Sequence, residues 1–117
     1  MENLSEMLKG VLEGIVLEII SRGEIYGYEI VKRLTALGFH DIAEGTVYAL
    51  LMRLERNRYV NIMRRPSEIG PPRKFYTLNE LGHNELASFW MRWGLLSERI
   101  EVLRKTERNG DEHELKS

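Results

Sequence analysis

Glu44-Gly45-Thr46-Val47-Tyr48-Ala49-Leu50-Leu51-Met52-Arg53-Leu54-Glu55-Arg56-Asn57, followed almost at once by Tyr59-Val60-Asn61-Ile62-Met63-Arg64-Arg65, changes its hydrophobic period in mid-course. In the first part Val47, Leu50, Leu51 and Leu54 recur at steps of three and four, the spacing of one helical face. The opposite face keeps Gly45, Tyr48, Ala49, Met52, Arg53 and Arg56. In the second part β-branched and aromatic residues favour a strand, and Lys74-Phe75-Tyr76-Thr77-Leu78 favours another. Pro66, Gly70, Pro71 and Pro72 between them make a loop that cannot be helical. The reading is a helix over 44–57, then a two-stranded hairpin with a basic base and a Pro-Gly tip.

Upstream, Leu4, Met7, Leu8, Val11, Leu12, Ile15, Val16, Ile19 and Ile20 predict one amphipathic helix from Leu4 to Arg22. Its apolar face is wider than one neighbouring helix requires, and Gly10 and Gly14 weaken it locally. Gly23 suits a left-handed cap. Tyr26-Gly27-Tyr28 then leads into a short helix carrying Ile30, Val31, Leu34 and Leu37, closed by Gly38, and residues 40–45 form a turn. Three helices and a hairpin, in that order, describe a winged helix–turn–helix: a mainly α fold with a small β-hairpin.

Downstream, Asn79 is a good N-cap for a last helix reaching about Glu107. Along it Leu86, Phe89, Trp93, Leu96, Ile100 and Leu103 alternate steps of three and four, the seam of a helix that pairs with another helix, or else of a long helix lying on its own core. Glu101 and Lys105 are spaced for an i,i+4 ion pair. The tail from Arg108 to Ser117 is polar and reads as disordered. The organisation expected is therefore a winged helix–turn–helix over 1–78, a long C-terminal dimerisation helix over 79–107, and a tail over 108–117.

Composition narrows the functions open to this chain. Its 117 residues hold one compact domain. The absence of cysteine excludes disulfides, thiolate metal sites and cysteine nucleophiles. The most apolar early stretch, Val11 to Ile20, is interrupted by Glu13, Gly14 and Glu18, which suits neither a membrane span nor a signal peptide. A cytoplasmic protein is expected. The net charge is only −1, but it is unevenly spread: residues 44–76 hold seven basic side chains against three acidic ones, leaving −5 for the remainder.

That basic segment coincides with the helix and hairpin that could enter DNA. Gly45 and Ala49 are small enough for close approach, and Thr46 and Tyr48 can donate to phosphates or base edges. Arg53 and Arg56 extend from later turns. Glu44 would repel phosphate unless it caps the helix or accepts from a cytosine. On the hairpin Arg64, Arg65, Arg73 and Lys74 stand where a wing would follow the backbone. Strand alternation lets only one of Arg64 and Arg65 face DNA. The same charges also suit a hairpin edge protected against aggregation. With Tyr26 added, the candidate DNA-binding residues are Tyr26, Thr46, Tyr48, Ala49, Arg53, Arg56, Arg64, Arg73 and Lys74.

Two other classes of function fit the sequence less well. An enzyme is disfavoured: His40, His83 and His113 lie on different elements, with no paired nucleophile and no phosphate-binding loop. His40-Asp41 with Glu44 has only generic metal spacing, and His113 among Asp111, Glu112 and Glu114 reads as a solvated tail. No catalytic residue, metal site or cofactor is expected. A winged helix used solely for protein–protein contact would keep the core and the last helix but lose the basic face.

Three stretches together, Tyr26-Gly27-Tyr28-Glu29-Ile30, Glu44 to Glu55 and Gly70-Pro71-Pro72-Arg73-Lys74-Phe75-Tyr76, resemble the PadR family of bacterial transcriptional regulators. The resemblance covers roughly residues 5–105. It implies a homodimer held by terminal helices, an operator of double-stranded DNA, and repression relieved by small molecules. A short chain with one C-terminal helix looks like the compact, LmrR-like branch of that family. There a tryptophan of the last helix lines an apolar pore between subunits and stacks on planar aromatic compounds. Trp93 matches that tryptophan, with Trp90 one turn earlier, and Met7, Gly10 and Gly14 lie on the first-helix face that would line the same pore. Trp93 is thus either a ligand platform or a residue of the dimer core. The chain departs from the family at Asn57-Arg58-Tyr59, where an acidic residue, glycine and an aliphatic are usual, and at Asn79, which replaces threonine.

Overall fold

The first helical stretch breaks where its glycine stands. In the computed structural model, which describes residues 4–108, α1 (Ser5–Leu8) and α2 (Leu12–Ser21) flank a turn at Lys9-Gly10-Val11. The single helix expected from Leu4 to Arg22 is not formed. Val11 sits at φ −124°, ψ −7°, outside the helical well. Glycine and a β-branched residue side by side lower helix propensity, and the four-residue piece before them is too short to propagate through the weak point.

Past the break the pattern holds. α2 buries Leu12, Val16, Leu17, Ile19 and Ile20, α3 (Gly27–Ala36) buries Ile30 and Leu34, and α4 (Glu44–Arg56) buries Val47, Leu50, Leu51 and Leu54. α3 packs on both α2 and α4, so these side chains share one core. Burying each of the larger aliphatic ones contributes about 1.5–3 kcal/mol.

The sheet has three strands rather than the expected two. β1 (Ile25–Tyr26) pairs with β3 (Arg73–Leu78), which pairs in turn with β2 (Val60–Arg65), all antiparallel. β1 is too short to carry an alternation of its own. In register, Val60 faces Leu78, Ile62 faces Tyr76 and Arg64 faces Lys74 on one side of the sheet. Asn61 faces Thr77, Met63 faces Phe75 and Arg65 faces Arg73 on the other. Ile25 and Tyr76 carry the first side into the core.

Both helices of the turn unit end in the same motif. At the end of α3, Phe39 N–H donates to the Leu34 carbonyl and Gly38 N–H to that of Thr35, with Gly38 at φ +99°. At the end of α4, Tyr59 N–H donates to the Leu54 carbonyl and Arg58 N–H to that of Glu55, with Arg58 at φ +61°. The left-handed residue that closes this motif is ordinarily glycine; here one of the two is arginine.

α5 (Glu80–Arg108) begins as expected. The Asn79 Oδ1 accepts from Gly82 N–H at 2.9 Å, and the Asn79 Nδ2 donates to the Arg58 carbonyl at 2.7 Å. One side chain therefore caps α5 and braces the strained end of α4. A β-carbon on Gly82 would run into the Tyr59 carbonyl, so no larger residue fits there. The chain divides into two compact units between Leu86 and Ala87, so most of α5 forms a unit of its own. Among the described residues no helix is long and apolar enough to cross a membrane. The expectation for the tail beyond Arg108, His113 included, lies outside the described residues.

Candidate nucleic-acid interface

With Val47, Leu50, Leu51 and Leu54 turned inward, the geometry of α4 decides what its other residues face. At 100° per residue the line opposite the core runs Gly45, Ala49, Met52 and Arg56, all exposed. Tyr48 and Glu55 lie on the flank towards the sheet, and Thr46 and Arg53 on the flank towards α2. The residues proposed from sequence thus spread over three sides of the helix. Met52, 59% exposed in the middle of the outermost line, belongs to the candidate surface and was not among them. Its four-and-three spacing with Gly45, Ala49 and Arg56 was the available signal.

On the sheet side Tyr26, Gly27, Tyr28, Tyr48, Met52, Arg73, Lys74 and Tyr76 surround one concavity. The Arg73 guanidinium lies over the Tyr26 ring, 4.7 Å from its centroid. The Tyr48 ring packs against the backbone of Gly27, where a β-carbon would come within 2.6 Å of it. Partial burial, with help from Glu44, holds the Tyr48 phenol above its ordinary pKa. Burial, then Glu55, does the same for Tyr76. Both hydroxyls therefore stay protonated through the physiological range and can act as donors. Exposed Tyr28, with the Lys32 ammonium 5.6 Å from its ring centroid, extends this surface and was also missed.

On the other flank Thr46, Ala49 and Arg53 border a groove floored by Leu8, Leu12, Ile42 and Leu50. Arg53 forms an ion pair with Glu13 of α2 at 3.3 Å. Two further cations are held by acids distant in sequence: Lys74 by Glu55 at 3.4 Å and Arg65 by Glu24 at 2.6 Å. Among the described residues Arg56 and Arg64 form no ion pair. Arg65 also lies over the Phe75 ring, 4.9 Å from its centroid, on the sheet face opposite Arg64. The N-terminus of α4 adds unpaired backbone donors, since Ala43 makes no side-chain cap.

The cross-strand pairing of the hairpin gives this surface its character. Arg64 stands opposite Lys74 and Arg65 opposite Arg73, two successive like-charged rungs at the base of the loop. Like charges directly opposite each other destabilise a ladder. Aromatic rings and the two acids offset part of that repulsion.

The unit from Ala87 onward has a different face. Phe89 is buried and meets Trp90 edge-on, with ring centroids 4.9 Å apart. Beyond them the seam is bare: Trp93 is 44% exposed, and Leu96, Ile100 and Leu103 about as much. Glu101 bonds Arg104 at 2.6 Å rather than forming the expected pair with Lys105. A guanidinium one turn away offers two donors to one carboxylate, and this bonding lowers the Glu101 pKa. Of the proposed ligand residues, Met7 and Gly10 are exposed in the first unit, Gly14 is buried within α2, and Trp90 and Trp93 are half-exposed on α5. Among the described residues no group of His, Asp and Glu side chains could hold a metal ion.

Known proteins share this fold. The transcriptional regulator PadR-like family matches residues 16–88. A Streptococcus transcriptional regulator of known structure is 43% identical, with 85% of this chain and 97% of that one covered and a TM-score of 0.75. A PadR-like transcriptional regulator from Bacillus cereus is 40% identical over 84% of this chain and 95% of that one, with a TM-score of 0.74. A PadR family transcriptional regulator from Eggerthella lenta is 28% identical over 88% and 89% of the two chains, with a TM-score of 0.80.

Proposed function

The chain belongs to the PadR-like family of transcriptional regulators, and we propose that it works as a cytoplasmic homodimeric repressor that leaves a palindromic operator when a planar aromatic compound binds. Membership of the family makes it a DNA-binding regulator. The observation that carries the assignment to this surface is the like-charged rung of Arg64 with Lys74 at the base of the hairpin, with Arg73 next to it on β3. A polyanion is the partner that turns their mutual repulsion into attraction. α4 enters the major groove, and Arg64, Arg73 and Lys74 hold the backbone from the wing. Tyr26, Thr46, Tyr48, Ala49, Arg53 and Arg56 complete the contact.

Support for self-association comes from α5, whose seam from Trp93 to Leu103 is half-exposed in the single chain. A helix with such a stripe buries it against another helix. In the proposed assembly residues 1–78 are the reading domain, 79–107 hold the dimer, and the two reading helices sit about 34 Å apart on successive turns of DNA. Trp90 and Trp93 of α5 take the aromatic ligand. Its binding alters the spacing of the two heads, which couples the ligand site to the operator.

The test is a titration of the full chain against its own upstream DNA and a scrambled duplex at several salt concentrations. Two subunits each neutralising about four phosphates give a log K versus log salt slope near −7 for the upstream fragment. Planar aromatic compounds added to the same assay should release it. Absence of binding to either duplex at low salt would end the DNA reading and leave a protein-interaction module.

A further inference from the structure

We infer that the outward line of α4 reads thymine methyl groups, with Met52 as the residue that selects them. The inference rests on the proposed insertion of α4 into the major groove and goes beyond it by naming the base feature recognised.

The part of a recognition helix that lies deepest in the groove is the line diametrically opposite its own core. Here that line is Gly45, Ala49 and Met52, with Arg56 at its far end. The first three carry no side-chain donor or acceptor apart from a weakly accepting thioether. Hydrogen-bonding side chains stand on the two flanks instead, and two of these are already engaged: Arg53 with Glu13, and Glu55 with Lys74. The four major-groove edges differ chiefly in donors and acceptors, which Gly45, Ala49 and Met52 cannot address. They also differ in one apolar feature, the thymine C5-methyl, which it can.

Two observations favour an external partner over an internal role for these residues. A β-carbon placed on Gly45 meets nothing within 4 Å, so no contact within the chain demands a glycine at this helix-weakening position. What an absent side chain does provide is close backbone approach from outside. Met52 is 59% exposed on the side of α4 away from its buried residues, where a flexible thioether can settle on an irregular apolar surface of a partner. From Gly45 to Met52 the helix rises about 10 Å, the length of about three stacked base pairs. The line therefore covers a run of about three base steps, and its contacts are made with methyl groups projecting from that run.

The experiment begins with selection of binding sites from a random duplex library by the full chain. The best site is then remade with single thymine-to-uracil replacements, each removing one methyl and no hydrogen-bonding group. At one or more thymines in each half of the site affinity should fall about fourfold, the factor expected for one methyl-sized group removed from burial. Met52→Ala, an exposed position where the fold should persist by circular dichroism, should abolish that thymine–uracil difference at its own step. Ala49→Ser should weaken discrimination at a neighbouring step. Equal affinity for thymine and uracil duplexes, with selection intact, overturns the inference and leaves the DNA reading standing. So does a Met52→Ala loss that is identical on both duplexes. A library that fails to enrich at all overturns the DNA reading itself.

Discussion

α4 and α5 both carry apolar residues at helical spacing, yet only α4 buries all of its stripe. α4 buries Val47, Leu50, Leu51 and Leu54 almost completely, and its outer line is small or charged apart from Met52. α5 buries Leu86 and Phe89, then leaves Trp93, Leu96, Ile100 and Leu103 about half exposed. Both helices carry apolar residues at steps of three and four. Periodicity reports that a face is apolar, not whether anything covers it.

The largest expected effects separate the two helices by where their apolar face is satisfied. Leu54→Ala removes a side chain at the centre of the core and should cost about 2–5 kcal/mol in urea unfolding. Leu96, 52% exposed in the single chain, should cost within about 0.5 kcal/mol on truncation if nothing covers it. If a second copy covers the seam, the wild-type unfolding midpoint should rise with protein concentration. Leu96→Ala should then weaken that dependence while leaving the dilute-limit stability near wild type. A midpoint independent of concentration, with Leu96→Ala neutral throughout, would remove the dimer proposal and leave α5 bare.

The start of α5 offers a sharper contrast, because there the helix depends on its own chain. Gly82→Ala would improve helix propensity by about 1 kcal/mol on an open surface. Here the added β-carbon meets the Tyr59 carbonyl and comes within 2.7 Å of the Leu78 side chain. The backbone oxygen cannot rotate away, so the substitution should destabilise by about 1–3 kcal/mol. The sign alone decides between packing and propensity. A gain in stability would mean that the first turn of α5 is not seated against the α4–β2 turn.

Legibility followed the range of the interaction that fixes each feature. The buried stripe of α4 and the Asn79 cap are local patterns, and both are where the residues placed them. β1 was invisible because two residues, Ile25 and Tyr26, become a strand only by pairing with Tyr76 and Phe75. The break between α1 and α2 was half-visible: Gly10 advertised weakness, but nothing local says whether packing will carry a helix through it. At the candidate interface the basic residues were legible and their partners were not. Glu13 lies 40 residues from Arg53, and Glu24 lies 41 from Arg65. Only the folded chain says which cations are held by acids and which, like Arg64, form no ion pair among the described residues.

The smallest predicted effect concerns two helix ends that share one motif and differ in one residue. Gly38 and Arg58 both occupy its left-handed position, and both ends make the same two backbone hydrogen bonds. A residue with a β-carbon pays for that conformation by about 1–2 kcal/mol, whereas glycine carries a larger entropy loss on folding of about 0.5–1 kcal/mol. Arg58→Gly should therefore stabilise the fold by about 0.5–1 kcal/mol, read as a rise of a few degrees in the thermal midpoint. The brace from Asn79 is to the Arg58 carbonyl and survives the change, so the gain isolates backbone strain. Gly38→Ala should move stability the other way by a similar amount. If Arg58→Gly is instead destabilising, the arginine side chain contributes more to the folded state than its conformation costs, and the two helix ends are equivalent in hydrogen bonding only.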